Sequence, residues 1–208
     1  TSLTNLTTSQ ITYLETSDLN VLSVESLAAL KTQQLQALTT TQIASLSSQQ
    51  LFDLSTATLQ GLTTTQIGAL ETSDLAILSV DSLSALKTQQ VQALLTTQIA
   101  ALTSVQFAGL STSTLKYLTT TQIAAIETTD LKVMSTDQLL SLSSSQVRAL
   151  STAQMVELTS VQLAGLSSAA VGVLTTQQLS VLSSTKLNFF DVASVPGLTS
   201  SQVIGLTT

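Results

Sequence analysis

The chain has 208 residues, six Lys+Arg against twelve Asp+Glu for a formal net charge of −6, and no His, Cys or Trp. Without imidazole or thiol it offers no zinc or copper site of the common kinds, no cysteine nucleophile and no His-bearing triad. Only Met134, Met155, Tyr13 and Tyr117 remain as candidate haem ligands, and none is placed for it. The basic residues Lys31, Lys87, Lys116, Lys132, Arg148 and Lys186 are scattered, which argues against nucleic acid as a partner.

Charged residues make up only 9% of the chain, so Ser, Thr and Gln must solvate its surface, a composition expected outside cells. Polar residues interrupt every apolar cluster well short of the ~18 that a membrane span needs. The opening Thr1-Ser2-Leu3 shows no charged region followed by an apolar one, so no signal peptide is read there.

From Leu6 the chain steps by eight through Leu14, Leu22 and Leu30 to Leu206, 26 positions that depart from Leu only at Ile126, Met134 and Phe190. Five residues after each lies a second apolar column: Ile11, Leu19, Leu27, Leu35, Ile43 and onward to Val203. The octad reads Leu, Ser/Thr, Thr/Ser, x, Gln, Ile/Leu/Val, x, small, without insertion or deletion. A longer period overlies it. Residues 62–94 match 6–38 and 118–150 resembles both, an offset of 56 residues or seven octads. No linker divides the chain, so residues 1–208 are expected to form one continuous array. Thr1 falls at the fourth octad position and Thr208 at the third, so a segment of a longer chain is expected.

Apolar spacings of five and three are both odd, which a one-faced strand cannot satisfy. One continuous helix fails as well, because eight residues leave a drift of ~80° per octad that would spiral the Leu columns around it. The second octad position supplies a break. It is Ser or Thr in 19 of 26 octads, with Gln three residues later in 15 and Asp in three more, which is the spacing of a capping box. Leu62, Thr63, Gln66, Ile67 and Leu70 illustrate the structural set: a cap, its reciprocal Gln and three inward apolar residues. A helix of one and a half to two turns cannot stand alone in water, so neighbours must stabilise it.

The expected fold is therefore all-α, a narrow solenoid of 26 short capped helices with eight residues per repeat and a 56-residue superrepeat. The small eighth position would let turns approach closely. Three or four octads per turn are expected, and the superrepeat suits two turns of 3.5.

Three polar features are candidate sites. The acidic trio Glu15, Asp18 and Glu25 recurs as Glu71, Asp74 and Asp81 and as Glu127, Asp130 and Asp137, and oxygen ligands from adjacent octads are what calcium requires. Set against this, carboxylates also suit helix N-termini, with Lys31 and Lys87 as ion-pair partners. Thr rows at 39–41, 63–65 and 119–121 could order water on an ice-binding face, although caps alone explain them. The octad Phe190 to Gly197 carries the only Pro, uses Asp191 as its cap residue, and should end its helix early at Pro196-Gly197. Tyr13 and Tyr117 at the eighth position are candidates for sugar stacking, while Leu95 and Phe52 read as ordinary exposed apolar residues.

The string LTTTQIAAL and its variants at 38–46, 62–70 and 118–126 resemble octad tracts of large bacterial surface or secreted proteins, adhesion-like or haem-utilisation-like. That resemblance covers the whole chain and implies an exported, elongated scaffold. The expected role is a non-enzymatic structural array without cofactors: an extracellular spacer, stalk or filament-forming segment of a bacterial surface protein. The alternative is a binding module for ice, glycan or calcium on a Thr/Ser-rich face. Expected partners are copies of itself or other repeats of the same chain, packed end to end or laterally, with neither nucleic acid nor a membrane span.

Overall fold

The computed structural model describes residues 3–206, in which every regular element is helical. The chain forms two compact units, Thr1–Leu102 and Thr103–Thr208. Among the described residues there are 24 α-helices, from α1 (Thr8–Thr12) to α24 (Ser200–Leu206), and two 3-10 turns, Leu3–Asn5 and Val195–Gly197.

The caps explain why a helix begins in each octad. In α8 (Thr64–Gly68) the N-cap Thr63 has an extended backbone, its hydroxyl accepts the Gln66 N–H, and the Gln66 side chain accepts the Thr63 N–H. The same reciprocal pair starts α5 (Thr40–Ala44) at Thr39 and Gln42 and α15 (Thr120–Ala124) at Thr119 and Gln122. Each helix then closes with a short turn onto the next Leu. The Leu70 N–H, for example, donates to the Ile67 carbonyl.

The expected 26 helices are 24, and the octad 190–197 shows why. Pro196 sits at the start of its 3-10 turn, and the Asp191 carbonyl is shared by the Ser194 N–H, the Ser194 hydroxyl and the Val195 N–H, so the backbone of this octad winds tightly without extending into an α-helix. The first element, Leu3–Asn5, is likewise only 3-10.

Each unit winds as a solenoid in which a helix packs on the third one after it. In the first unit α1 meets α4 (Thr32–Ala37), and α4 meets α7 (Thr56–Gly61). In the second, α13 (Ser104–Gly109) meets α16 (Thr128–Val133), which meets α19 (Thr152–Glu157). Both apolar columns point to the axis. Ile11, Leu19, Ile67, Leu115 and Leu163 are fully buried, and the Leu column is buried from Leu38 to Leu182. Leu6, Leu14, Leu22 and Leu30, in the first turn, are only half-buried. The small eighth position has the expected use at Gly165 and Gly197, where a Cβ would lie 2.0 Å from Thr136 Cγ2 and 2.0 Å from the Ser168 carbonyl oxygen.

Candidate functional site

The chemistry built most regularly into this coil is a ladder of buried amides. Gln66 is buried in α8, and while its Oε1 accepts the Thr63 N–H at 2.9 Å, its Nε2 donates to the carbonyls of Leu35 (2.9 Å) and Leu38 (2.7 Å) one turn below. Gln42 does the same with Ile11 and Leu14, Gln90 with Leu59 and Leu62, Gln146 with Leu115 and Leu118, and Gln202 with Val171 and Leu174. These acceptors lie at the C-terminal ends of short helices: the Leu35 carbonyl already accepts the Leu38 N–H and takes the amide as a second donor, whereas the Leu38 carbonyl, just past the helix, is met by the amide. One side chain therefore starts its own helix and finishes another, and no buried side-chain nitrogen or oxygen among the described residues is left without a partner.

The ladder also sets the turn. Its bonds reach back 31 and 28 residues, and 28 residues are three and a half octads, so the 56-residue superrepeat is two turns. The capping role of Gln was legible in the sequence; the inter-turn role was not. A signal for it was nonetheless present. Glu completes a capping box as well as Gln does, yet no Glu occupies the fifth octad position anywhere in the chain. Only the amide can also donate.

Where the fifth residue is not Gln, other donors and acceptors substitute. Lys186 Nζ donates to the carbonyls of Val156 and Leu158 (2.7 Å to Leu158), the latter 28 residues back as for a Gln. Asp74 and Asp130 cannot donate; instead they are buried and accept from the hydroxyls of Ser48 (2.9 Å) and Ser104 (2.6 Å). Burial raises the Asp130 carboxyl above the usual range, the Ser104 hydrogen bond opposes this, and nearby Glu127 adds to the rise.

The acidic trios do not come together. Glu15, Glu71 and Glu127 are N-cap residues without a side-chain cap bond. Asp18 is exposed in a first helical turn, its counterparts Asp74 and Asp130 turn inward, and Glu25, Asp81 and Asp137 lie exposed on the following helices. Among the described residues no three acidic side chains are close enough to hold a metal ion. The expected Lys31–Glu15 and Lys87–Glu71 ion pairs are not formed; among the described residues the pair is Lys132 with Glu157, which holds the Glu157 carboxyl below its usual range. Lys31 and Lys87 instead occupy N-cap positions, where their backbone N–H groups donate to Gln34 and Gln90.

In the Thr rows the first hydroxyl is used in the cap, as Thr39 and Thr119 show, while Thr40, Thr41 and Thr121 are exposed. Tyr13 is almost fully exposed. Leu95 stands at an N-cap without a side-chain bond, although its N–H still donates to Gln98. Leu62, Ile67 and Leu70 are buried, and Thr63 and Gln66 form the capping box of α8.

A coil of short capped helices, many of them joined to the turn below by a buried amide, defines a helical solenoid repeat protein. The chain belongs to the ALTTAQ repeat family, which matches residues 11–48, 67–104 and 123–160. Those matches begin 56 residues apart, one superrepeat each. No curated protein matches the chain. No helix among the described residues is long and apolar enough to cross a membrane.

Proposed function

We propose that this chain is a non-enzymatic spacer, stalk or filament-forming segment of a bacterial surface protein, working outside the cell. The observation that carries this reading is the amide ladder. The most regular polar group of the repeat is consumed in joining one turn to the next, and what faces solvent is mainly uncharged Ser, Thr and Gln. A groove such as that of about 270 Å³ between Gln36, Gln60, Thr63, Lys87 and Gln90 offers amides and one ammonium, with no general base beside a nucleophile. The resemblance to octad tracts of surface proteins supports the extracellular setting. The half-buried leucines of the first turn and the 28-residue pitch suit packing against further repeats, either end to end or laterally.

The test is thermal unfolding with and without calcium, run beside an ice-recrystallisation assay. A structural array shows neither a calcium shift nor inhibition of recrystallisation. A large calcium shift, or strong inhibition through exposed threonines such as Thr40 and Thr41, would replace this reading by a binding module. Protease treatment of intact cells that make the parent protein is expected to release repeat peptides. Their release only after lysis would refute the surface location.

A further inference from the structure

The turn length makes a second pattern visible, on the outside of the coil. In the second unit, successive steps of 28 residues from Val105 reach Val133, Val161 and Phe189, all exposed. Three residues further on in each turn lie Ala108, Thr136, Ala164 and Val192, of which Val192 is a large apolar side chain and almost fully exposed. The first unit carries the same two columns as Val21, Gln49 and Ile77 beside Val24, Phe52 and Val80. There Gln49, Phe52 and Ile77 line one open groove, so residues a turn apart on these columns are neighbours. Among the described residues, these two of the 28 columns hold eight of the 17 exposed large apolar side chains. Scattered over the surface columns alone, these residues would place about two there, so this is a stripe and not ordinary exposure.

The flanks differ between the units. Beside the stripe of the first unit stand Glu25, Asp53 and Asp81, one exposed carboxylate per turn. The same column in the second unit reads Gly109, Asp137, Gly165 and Ala193, and on the other flank Lys132 is neutralised by Glu157. Two copies of the first stripe would therefore oppose a carboxylate in every turn, whereas the second has a lower-profile flank of Gly109, Gly165 and Ala193 on which the exposed carboxylates are Asp137 and, beside Val192, Asp191.

We propose that the stripe Val105, Val133, Val161, Phe189 and Val192 docks against the same stripe of a second copy of this chain. The pitch supports that occupant: side chains recurring once per 28-residue turn are all engaged only by a surface with the same axial repeat, which a second copy has by construction. The area fits as well. Exposures of 76, 44, 69, 39 and 85% amount to about three whole side chains, roughly 300–500 Å² of apolar surface. A standard interface takes about 800 Å² from each partner, about 60% of it apolar. This names the lateral partner of the structural array proposed above and rests on that reading.

Sedimentation of the whole chain from micromolar to near-millimolar concentration tests it. The chain is expected to pass from monomer to dimer, and the triple change Val105→Ser, Val133→Ser, Val161→Ser should raise the dissociation constant by about tenfold or more. Val21→Ser with Ile77→Ser, on the first unit, should leave it unchanged. Circular dichroism checks that each variant keeps its helices; should the triple variant lose them, the single exposed change Val161→Lys gives the same reading. A chain monomeric throughout, association that persists in the folded stripe variants, or equal weakening by the first-unit pair would overturn the inference. A calcium shift or recrystallisation inhibition would instead overturn the array reading, so the two failures are distinguishable.

Discussion

Gln66 Nε2 donates to the carbonyl oxygen of Leu38, 28 residues earlier, at 2.7 Å, while the other end of the same amide accepts the N–H of Thr63. The first bond joins two turns and the second starts a helix. Because the two ends of the amide have opposite hydrogen-bonding character, substitution can separate the roles.

Gln66→Glu keeps the acceptor for Thr63 but removes both donors, setting a carboxylate against the carbonyls of Leu35 and Leu38. The Leu35 carbonyl keeps the Leu38 N–H, so the Leu38 carbonyl is the one left unsatisfied in the interior, and a loss of about 1–3 kcal/mol or more is expected. Gln10 makes the box bonds with Thr7 but stands exposed in the first turn. Gln10→Glu should therefore leave stability within about 0.5 kcal/mol of the parent. Because stability in a repeat stack is not uniform along the chain, native-state hydrogen exchange at Leu35 to Thr39 and at Gln66 is the measurement. Equal effects at both sites would refute the inter-turn role.

Asp74 occupies a Gln position without being able to donate. Asp74→Gln would place an amide where the carbonyls of Ile43 and Leu46 lie 31 and 28 residues back, the register that Gln66 uses with Leu35 and Leu38. It gives up the bond from Ser48 and removes a buried charge. A gain of about 1 kcal/mol is expected, read as a higher midpoint in thermal denaturation. A lower midpoint would mean that the Asp74–Ser48 contact matters more than the rung it replaces.

The octad and its caps were legible because both are local. Thr63 and Gln66 are three residues apart, and their reciprocal bonding follows from residue type and spacing alone. The destination of Gln66 Nε2 was not legible, since it depends on a turn length that the octad leaves open between three and four repeats. Position five contained the clue, as Gln fills it repeatedly and Glu never, but the clue has meaning only once a donor is required there. The same ignorance of the turn hid the outer stripe: Val105, Val133 and Val161 align only in steps of 28. The acidic trios misled for a related reason. Asp18, Asp74 and Asp130 look equivalent in the superrepeat, yet Asp18 lies in the first turn and faces solvent, whereas Asp74 and Asp130 meet serines of another turn.

Asp130 gives the fold a pH dependence whose sign follows from its environment. Burial raises its carboxyl pKa in the folded chain, the Ser104 hydroxyl partly offsets this, and Glu127 adds to the rise. A group whose folded pKa exceeds its unfolded value contributes stability below the unfolded pKa and loses it as pH rises through the folded one. This site therefore favours the folded chain more in mild acid than at neutrality. Asp130→Asn keeps an oxygen to accept from Ser104 and removes the charge. It should raise the denaturation midpoint at pH 7 and leave it nearly unchanged once Asp130 is protonated in the parent. A midpoint gain of the same size at both pH values would assign the effect to packing and not to ionisation.

Two glycines at the same octad position should respond differently to Ala, because different atoms stand in the way. A Cβ on Gly197 would lie 2.0 Å from the Ser168 carbonyl oxygen and 2.6 Å from its carbon, backbone atoms that move only if the two turns separate. Gly197→Ala should therefore cost about 1–3 kcal/mol or more, the range for overpacking a close contact. A Cβ on Gly165 would meet Thr136 Cγ2, also at 2.0 Å, but that methyl belongs to a side chain. Gly165→Ala should be destabilising alone and largely recovered by adding Thr136→Ser, a coupling that a double-mutant cycle of denaturation midpoints measures directly. No truncation at Ser168 can rescue Gly197→Ala, since the obstructing carbonyl remains in every residue type. Recovery of Gly197→Ala by Ser168→Ala would show that the contact is between side chains after all.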